Sequence, residues 1–277
     1  MTWKNVQLPL SDDEIRQVIG SCSTEVVLVG GQALAIWSQV YGVPPPAELS
    51  GGISADLDFI GSAQIARALG KALNRNGGTW KLHEVNPGDS TPQSAKLSLT
   101  VPDQGYKEID FLWAIVGVDT DQARNRSVEM TLPGIPKSVK ILHPLDLLAS
   151  RLHNLALLPE KRDSHGLAQA RLAIAVVRAF ISQALQDLPE RDAFPFVEQV
   201  RRMALDRKLD RVLGEYGFDV LSAVPYEKFV DENFRSKRWP QIEALVAALQ
   251  RIRKRKGATP TQVSAQTIIE ERDADRR

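Results

Sequence analysis

The chain has 277 residues, 43% apolar and 25% charged, enough to bury a sizeable core in one large domain or two smaller ones. Its 35 Lys and Arg nearly cancel its 34 Asp and Glu, so composition makes no case for nucleic acid and any such case rests on local clusters. No apolar run approaches the ~18–20 uncharged residues of a membrane helix, the N-terminus lacks a secretion signal, and the single Cys22 excludes an intramolecular disulfide or multi-cysteine metal site; the expectation is a cytoplasmic chain with no membrane partner.

In chain order, "SDDEIRQVIG" reads as a helix capped by its serine. "TEVVLVG" is a short β-branched strand, and "QALAIWSQVYG" a buried helix closing on Gly42. "VPPPAELSGGISA" is a loop, "DLDFIG" a strand, and "SAQIARALGKALNRNGG" a helix ending in glycines. "AKLSLTVP" and "YKEIDFLWAIVG" alternate as neighbouring strands, and "VEMTLPGIPKSVKILH" adds a hairpin-like edge. From "HPLDLLASRLHNL" onward helical periodicity dominates to about residue 256, broken near "LPERDAFP" and "FDVLSAVPYEKF". This places an α/β domain at 1–142, a helical domain at 143–256, and a polar tail at 257–277 whose composition fits disorder.

In a strand, residues i and i+2 share a face, so Asp56 and Asp58 project together while Leu57 and Phe59 face the other way. Nothing about building a core requires two like charges so placed. A divalent cation removes the conflict, and Mg²⁺ is held by carboxylates together with substrate phosphates. Asp110, among Ile109, Phe111 and Trp113, supplies a third carboxylate on another strand, and Glu108 shares its face. Gly30 and Gly31, between a strand and a helix, put backbone N–H groups at a helix N-terminus where phosphate can approach closely.

At Val29-Gly30-Gly31, Asp56-Leu57-Asp58 and Asp110 the sequence resembles the nucleotidyltransferase superfamily related to DNA polymerase β. Within it, the chain is most similar to AbiEii-type toxins and related minimal nucleotidyltransferases. Ser54 stands where those proteins place a small polar residue before the aspartate pair, Arg151 where they have a lysine, and Asp163 where they have an aspartate. Two features depart from that pattern: the inserted "GVPPPAELSGG" between Gly31 and Asp56, and arginine in place of lysine at Arg151. The resemblance covers residues 25 to about 180. It implies an α/β nucleotidyltransferase fold (a small mixed sheet with flanking helices) followed by a helical module. It also implies transfer of NMP from an NTP to an acceptor hydroxyl. Asp56, Asp58 and Asp110 then hold Mg²⁺ and carry the catalysis, with Asp110 also accepting the hydroxyl's proton; Gly30, Gly31, Ser54, Arg151 and Asp163 bind the nucleotide. The acceptor it implies is a tRNA end or a protein, with a cognate antitoxin as partner. A small-molecule acceptor, as in antibiotic-modifying enzymes, and a non-catalytic nucleotide-binding module remain as alternatives.

Other polar residues have simpler readings. His143 before Pro144 and Asp146 in the first helical turn read as capping. His153 and His83 stand alone, which excludes zinc spacing, and Cys22 has no partner placed to activate a thiolate. Lys161, Arg162, Asp163 and His165 read equally as an exposed helix start or as groups facing a substrate. "RIRKRK" places five cations in six residues, suited to phosphate-backbone contact or to a solvated helix end.

Overall fold

The computed structural model describes residues 6–86, 89 and 91–257, with the side chains of 252–257 excepted. The chain opens with α1 (Asp12–Ser21), fixed by reciprocal capping: Ser11 Oγ accepts from Glu14 N, and Glu14 takes the Ser11 N–H at 2.7 Å. Next come β1 (Val27–Val29), α2 (Gly30–Val40), β2 (Leu57–Ile60) and α3 (Ala63–Arg75). Then follow β3 (Lys81–Glu84), β4 (Gln93–Val101), β5 (Gly105–Leu112), α4 (Thr120–Arg126), β6 (Val128–Thr131) and β7 (Ser138–Ile141). Beyond β7 the α-helices among the described residues are α5 (Pro144–Leu157), α6 (Ser164–Asp187), α7 (Glu190–Leu205), α8 (Asp210–Glu215) and α9 (Trp239–Gly257), and no strand follows in them.

Among the described residues the strands form one mixed sheet of seven, ordered β3-β4-β5-β2-β1-β7-β6. β2 runs parallel to β5 and antiparallel to β1, and β1 runs parallel to β7. The hairpin-like edge is present as the antiparallel pair β6–β7. α3 packs on β3, β4 and α1, while α2 packs on β1 and β2 and is in turn covered by α5 and α6. The hydrophobic core is continuous past residue 142: α2 packs on both α5 and α6, and one cluster of buried residues runs from Leu10 to Val246.

Some local expectations change. The break near "LPERDAFP" reduces to Leu188–Pro189, since α7 already begins at Glu190 and carries Pro195 inside it. A proline that early in a helix removes one intrahelical bond without ending the helix. β3 and α4 carry no clear apolar period, β3 because it is a largely exposed edge strand. α6 is long and apolar enough, by length and composition, to cross a membrane, but half of that stretch is buried inside this fold. The cationic run Arg253–Lys256 lies on α9 with its side chains outside the described residues, and 258–277 lie outside them altogether.

Candidate metal centre

The register of three central strands assembles the acidic residues. Asp58 pairs with Val29 of β1 on one side and with Asp110 of β5 on the other. On the opposite face Phe59 pairs with Phe111, their rings stacked at 5.7 Å and fully buried. Each carboxylate is therefore held by a hydrophobic residue one position away in the chain. Asp56 lies just before β2, and one carboxylate oxygen from each of Asp56, Asp58 and Asp110 falls within 4.8 Å of the others. Trp113, by contrast, lies past the strand end and is 60% exposed, its indole N–H donating to the Thr91 carbonyl.

Each outer carboxylate has a partner that aims it. Ser54 Oγ donates to Asp56 Oδ1 at 2.6 Å. Gln93 Nε2 donates to Asp110 Oδ1 at 3.0 Å, and Lys96 Nζ stands 3.9 Å from the same oxygen while bonding Glu108 at 2.9 Å. Glu108 thus shares the face of Asp110 but is spent on a lysine.

The electrostatics follow from this crowding. Burial pushes Asp58 up to about 7, with the charges of Asp56 and Asp110 adding to the effect and those of Arg151 and Lys161 opposing it. Asp110 is pushed up to about 6, mainly by burial, with Lys96 opposing and Glu108 and Asp56 adding. Burial also lowers Arg151 from its usual value, against the pull of Asp58 and Asp56. Three carboxylates converging from neighbouring strands, with one held neutral up to near pH 7 by its surroundings, make a hard, all-oxygen donor set. That set fits a hard divalent cation such as Mg²⁺, which binds carboxylate oxygens and removes their mutual repulsion.

The two glycines let these parts meet. Gly30 adopts φ +71°, and a Cβ there would lie 2.0 Å from Asp58 Oδ2. A Cβ on Gly31 would lie 2.4 Å from Ser54 Cβ and 2.9 Å from the Ile53 carbonyl. The missing side chains therefore make room for Asp58 and Ser54, rather than only for a ligand. α2 begins here with no side-chain cap on its N-terminus. The segment "GVPPPAELSGG" that separates Gly31 from Asp56 is anchored in the core through Leu49. Gly31→Ala is expected to cost about 1–3 kcal/mol of stability, the usual penalty for overpacking. Thermal and urea unfolding check this; a variant as stable as the parent would mean that Ser54 gives way without cost.

The helical part supplies further residues. Arg151 on α5 donates through Nη1 to Gln169 Oε1 on α6 at 2.8 Å, and its Nε is buried with no partner among the described residues. Gln169 Nε2 donates to the Ile53 carbonyl at 2.6 Å, and His165 Nε2 lies 3.1 Å from that oxygen. Asp163 is the N-cap of α6, accepting from Gly166 N at 2.7 Å, and Arg162 donates to the Leu155 and Ala156 carbonyls at the end of α5. Lys161, weighed evenly from sequence, acts electrostatically on Asp58. Gln169 and Gln93 carry no sequence motif. The one available signal for Gln169 is an amide on an otherwise apolar helix face, since a buried polar group needs partners.

The remaining candidates are structural. His143 caps α5 through Nδ1, and burial pushes it down to about 4. Asp146 is buried and paired with Arg126. His153 is enclosed between the Ala149 carbonyl and Asp206. His83 bonds Ser98 on the exposed edge. Cys22 is buried, which pushes its thiol up to about 12, far from a reactive thiolate.

No protein-family model and no curated protein matches the chain. Among solved structures, the Megavirus polyadenylate synthase aligns with a TM-score of 0.36 and 12% identity, over 61% of this chain and 35% of that one. The chain thus spans about a third of that protein's length. A likeness at this level assigns neither family nor activity, so the chemistry rests on the residues themselves.

Proposed function

We propose that the chain is a Mg²⁺-dependent nucleotidyltransferase, moving NMP from an NTP to an acceptor hydroxyl and releasing pyrophosphate. The observation that carries this reading is the convergence of Asp56, Asp58 and Asp110 to within 4.8 Å. In support, the cations Arg151 and Lys161 act on Asp58, and the uncapped N-terminus of α2 lies beside it. Asp56 and Asp58 hold the metal and Asp110 completes its ligand set. Bound there, Mg²⁺ supplies charge neutralisation for the reacting phosphates. The acceptor oxygen forms its bond to the α-phosphorus as the bond to the pyrophosphate oxygen breaks, and the hydroxyl proton passes to Asp110. Arg151 and Lys161 would offset phosphate charge, and the helix N-terminus that begins at Gly30 and Gly31, which has no side-chain cap, would favour it further. Ser54 aims Asp56. Asp163 serves the nucleotide indirectly, by fixing the start of the helix that carries His165 and Gln169.

The test incubates the full chain and Mg²⁺ with each α-labelled NTP and a choice of acceptors: total tRNA, protein, or small hydroxyl compounds. The expected result is label on one acceptor class, with equimolar pyrophosphate. Label on tRNA or protein is what the toxin-type resemblance implies, and would prompt a search for an antitoxin partner. Label on a small compound makes the acceptor antibiotic-like. NTP binding without transfer would overturn the proposal in favour of a non-catalytic module, and the absence of both binding and transfer would refute it outright.

A further inference from the structure

The segment that delivers Asp56 is held from far along the chain. Gln169, 116 positions beyond Ile53, donates to the Ile53 carbonyl at 2.6 Å, and the same amide accepts from Arg151 Nη1 at 2.8 Å. It is 7% exposed. The next residue, Ser54, donates its hydroxyl to Asp56 Oδ1 at 2.6 Å, while its carbonyl accepts from Gln32 on α2 at 3.2 Å. One buried side chain therefore touches both the backbone leading to Asp56 and the cation that acts on Asp58.

Packing alone does not call for an amide here. Leu or Met would fill a similar volume without burying polar atoms. What the position demands is a donor at one end and an acceptor at the other. Glutamate would set an oxygen against the Ile53 carbonyl. Lysine or arginine would set a donor against the Arg151 guanidinium. A neutral amide of this length satisfies both neighbours.

The geometry points to Gln169 as a positioning residue of the acidic centre, fixing Ile53–Asp56 and Arg151 in one arrangement so that the strength of divalent-cation binding depends on it. This rests on the metal-site reading above. Gln169 touches neither the cation nor the nucleotide; it acts through Ser54 and Asp56 on one side and through Arg151 on the other.

The experiment titrates Mn²⁺ into the full chain without nucleotide and follows free Mn²⁺ by electron paramagnetic resonance. It uses wild type, Gln169→Leu, Gln169→Glu, Ser54→Ala, the Gln169→Leu/Ser54→Ala pair and Asp58→Ala, with a thermal melt of each. Gln169→Leu and Ser54→Ala should each weaken Mn²⁺ binding by about tenfold, the usual lower range for residues that orient a metal ligand. The double variant should stay within about twofold of the weaker single, because both break one chain of contacts. Native Mn²⁺ affinity in folded Gln169→Leu, or losses that multiply in the double variant, overturn the inference. If Gln169→Leu shows no cooperative melt, Gln169→Glu carries the test, with the same weakening expected and native affinity overturning it. Asp58→Ala separates the two readings. Loss of binding there beside native binding in Gln169→Leu sinks this inference alone. A folded wild type that binds no Mn²⁺ sinks the metal site, and the role of Gln169 with it.

Discussion

Asp58→Asn is expected to lower nucleotidyl transfer by about a hundredfold or more while raising the melting temperature of the metal-free protein at pH 8. The two effects share one cause. Asp58 stands between Val29 and Asp110 in the sheet, with the backbone of Gly30 against its Oδ2. Burial and the neighbouring charges push it up to about 7, so at pH 8 the folded chain carries an ionised group in surroundings that disfavour it. Asparagine keeps the shape and drops the charge. With each pKa unit corresponding to about 1.4 kcal/mol, the relief is of order a few kcal/mol, enough to move the melt by several degrees. Asp56→Ala should match the loss of transfer. Near-normal turnover in folded Asp58→Asn would falsify the metal-site reading, and a lower melting temperature would count against the electrostatic account.

Metal-free stability should fall as pH rises from about 4 to about 7, and Mg²⁺ should reverse that fall. An aspartate in the unfolded chain titrates near 3.8, whereas the folded chain holds Asp110 up to about 6 and Asp58 up to about 7. Between those values the folded state binds more protons than the unfolded one. Stability therefore drops with rising pH, by up to about 1.4 kcal/mol per pH unit for each group. The stabilising contribution is fully present below the unfolded value and is gone above the folded one. Mg²⁺ competes with those protons, so its stabilising effect should grow through the same window and level off above pH 7. Other carboxylates shift the opposite way, Glu14 and Glu198 among them, so the decisive quantity is the difference between wild type and Asp58→Asn. Melts across pH 4.5–8 with and without Mg²⁺ measure it. A pH-independent difference, or equal Mg²⁺ stabilisation at pH 5 and pH 8, contradicts the account.

The carboxylates were legible in the sequence because their signal is local. The spacing of Asp56 and Asp58 is a period-two statement, and Asp110 is conspicuous among Ile109 and Phe111. The strand–glycine–helix step at Val29-Gly30-Gly31 is local too, yet what the glycines make room for depends on which strand arrives beside them, and that is tertiary. Gln169 and Gln93 left almost no trace, since they matter through side-chain contacts far along the chain, Ile53 and Arg151 for the first and Asp110 for the second. His165 stood out only as part of the charged cluster at a helix start, its contact with Ile53 being tertiary. Trp113 belongs to the apolar run that reads as a strand, although the strand ends one residue earlier. β3 was missed because an exposed edge strand needs no apolar face, and Pro195 was read as a break because proline's cost depends on where the helix starts.

β2 is the fourth of seven strands, with three on each side. An edge strand burdened with clustered carboxylates can shed its discomfort by fraying into water. β2 has no such exit, because peeling it away means parting β1 on one flank and β5 on the other. The amides of Asp58 and Phe59 therefore belong with the last to exchange their hydrogens, reached only when the whole sheet opens. A binding centre built there keeps its shape while the rim of the molecule breathes, and whatever relieves its charge is felt by the entire fold at once.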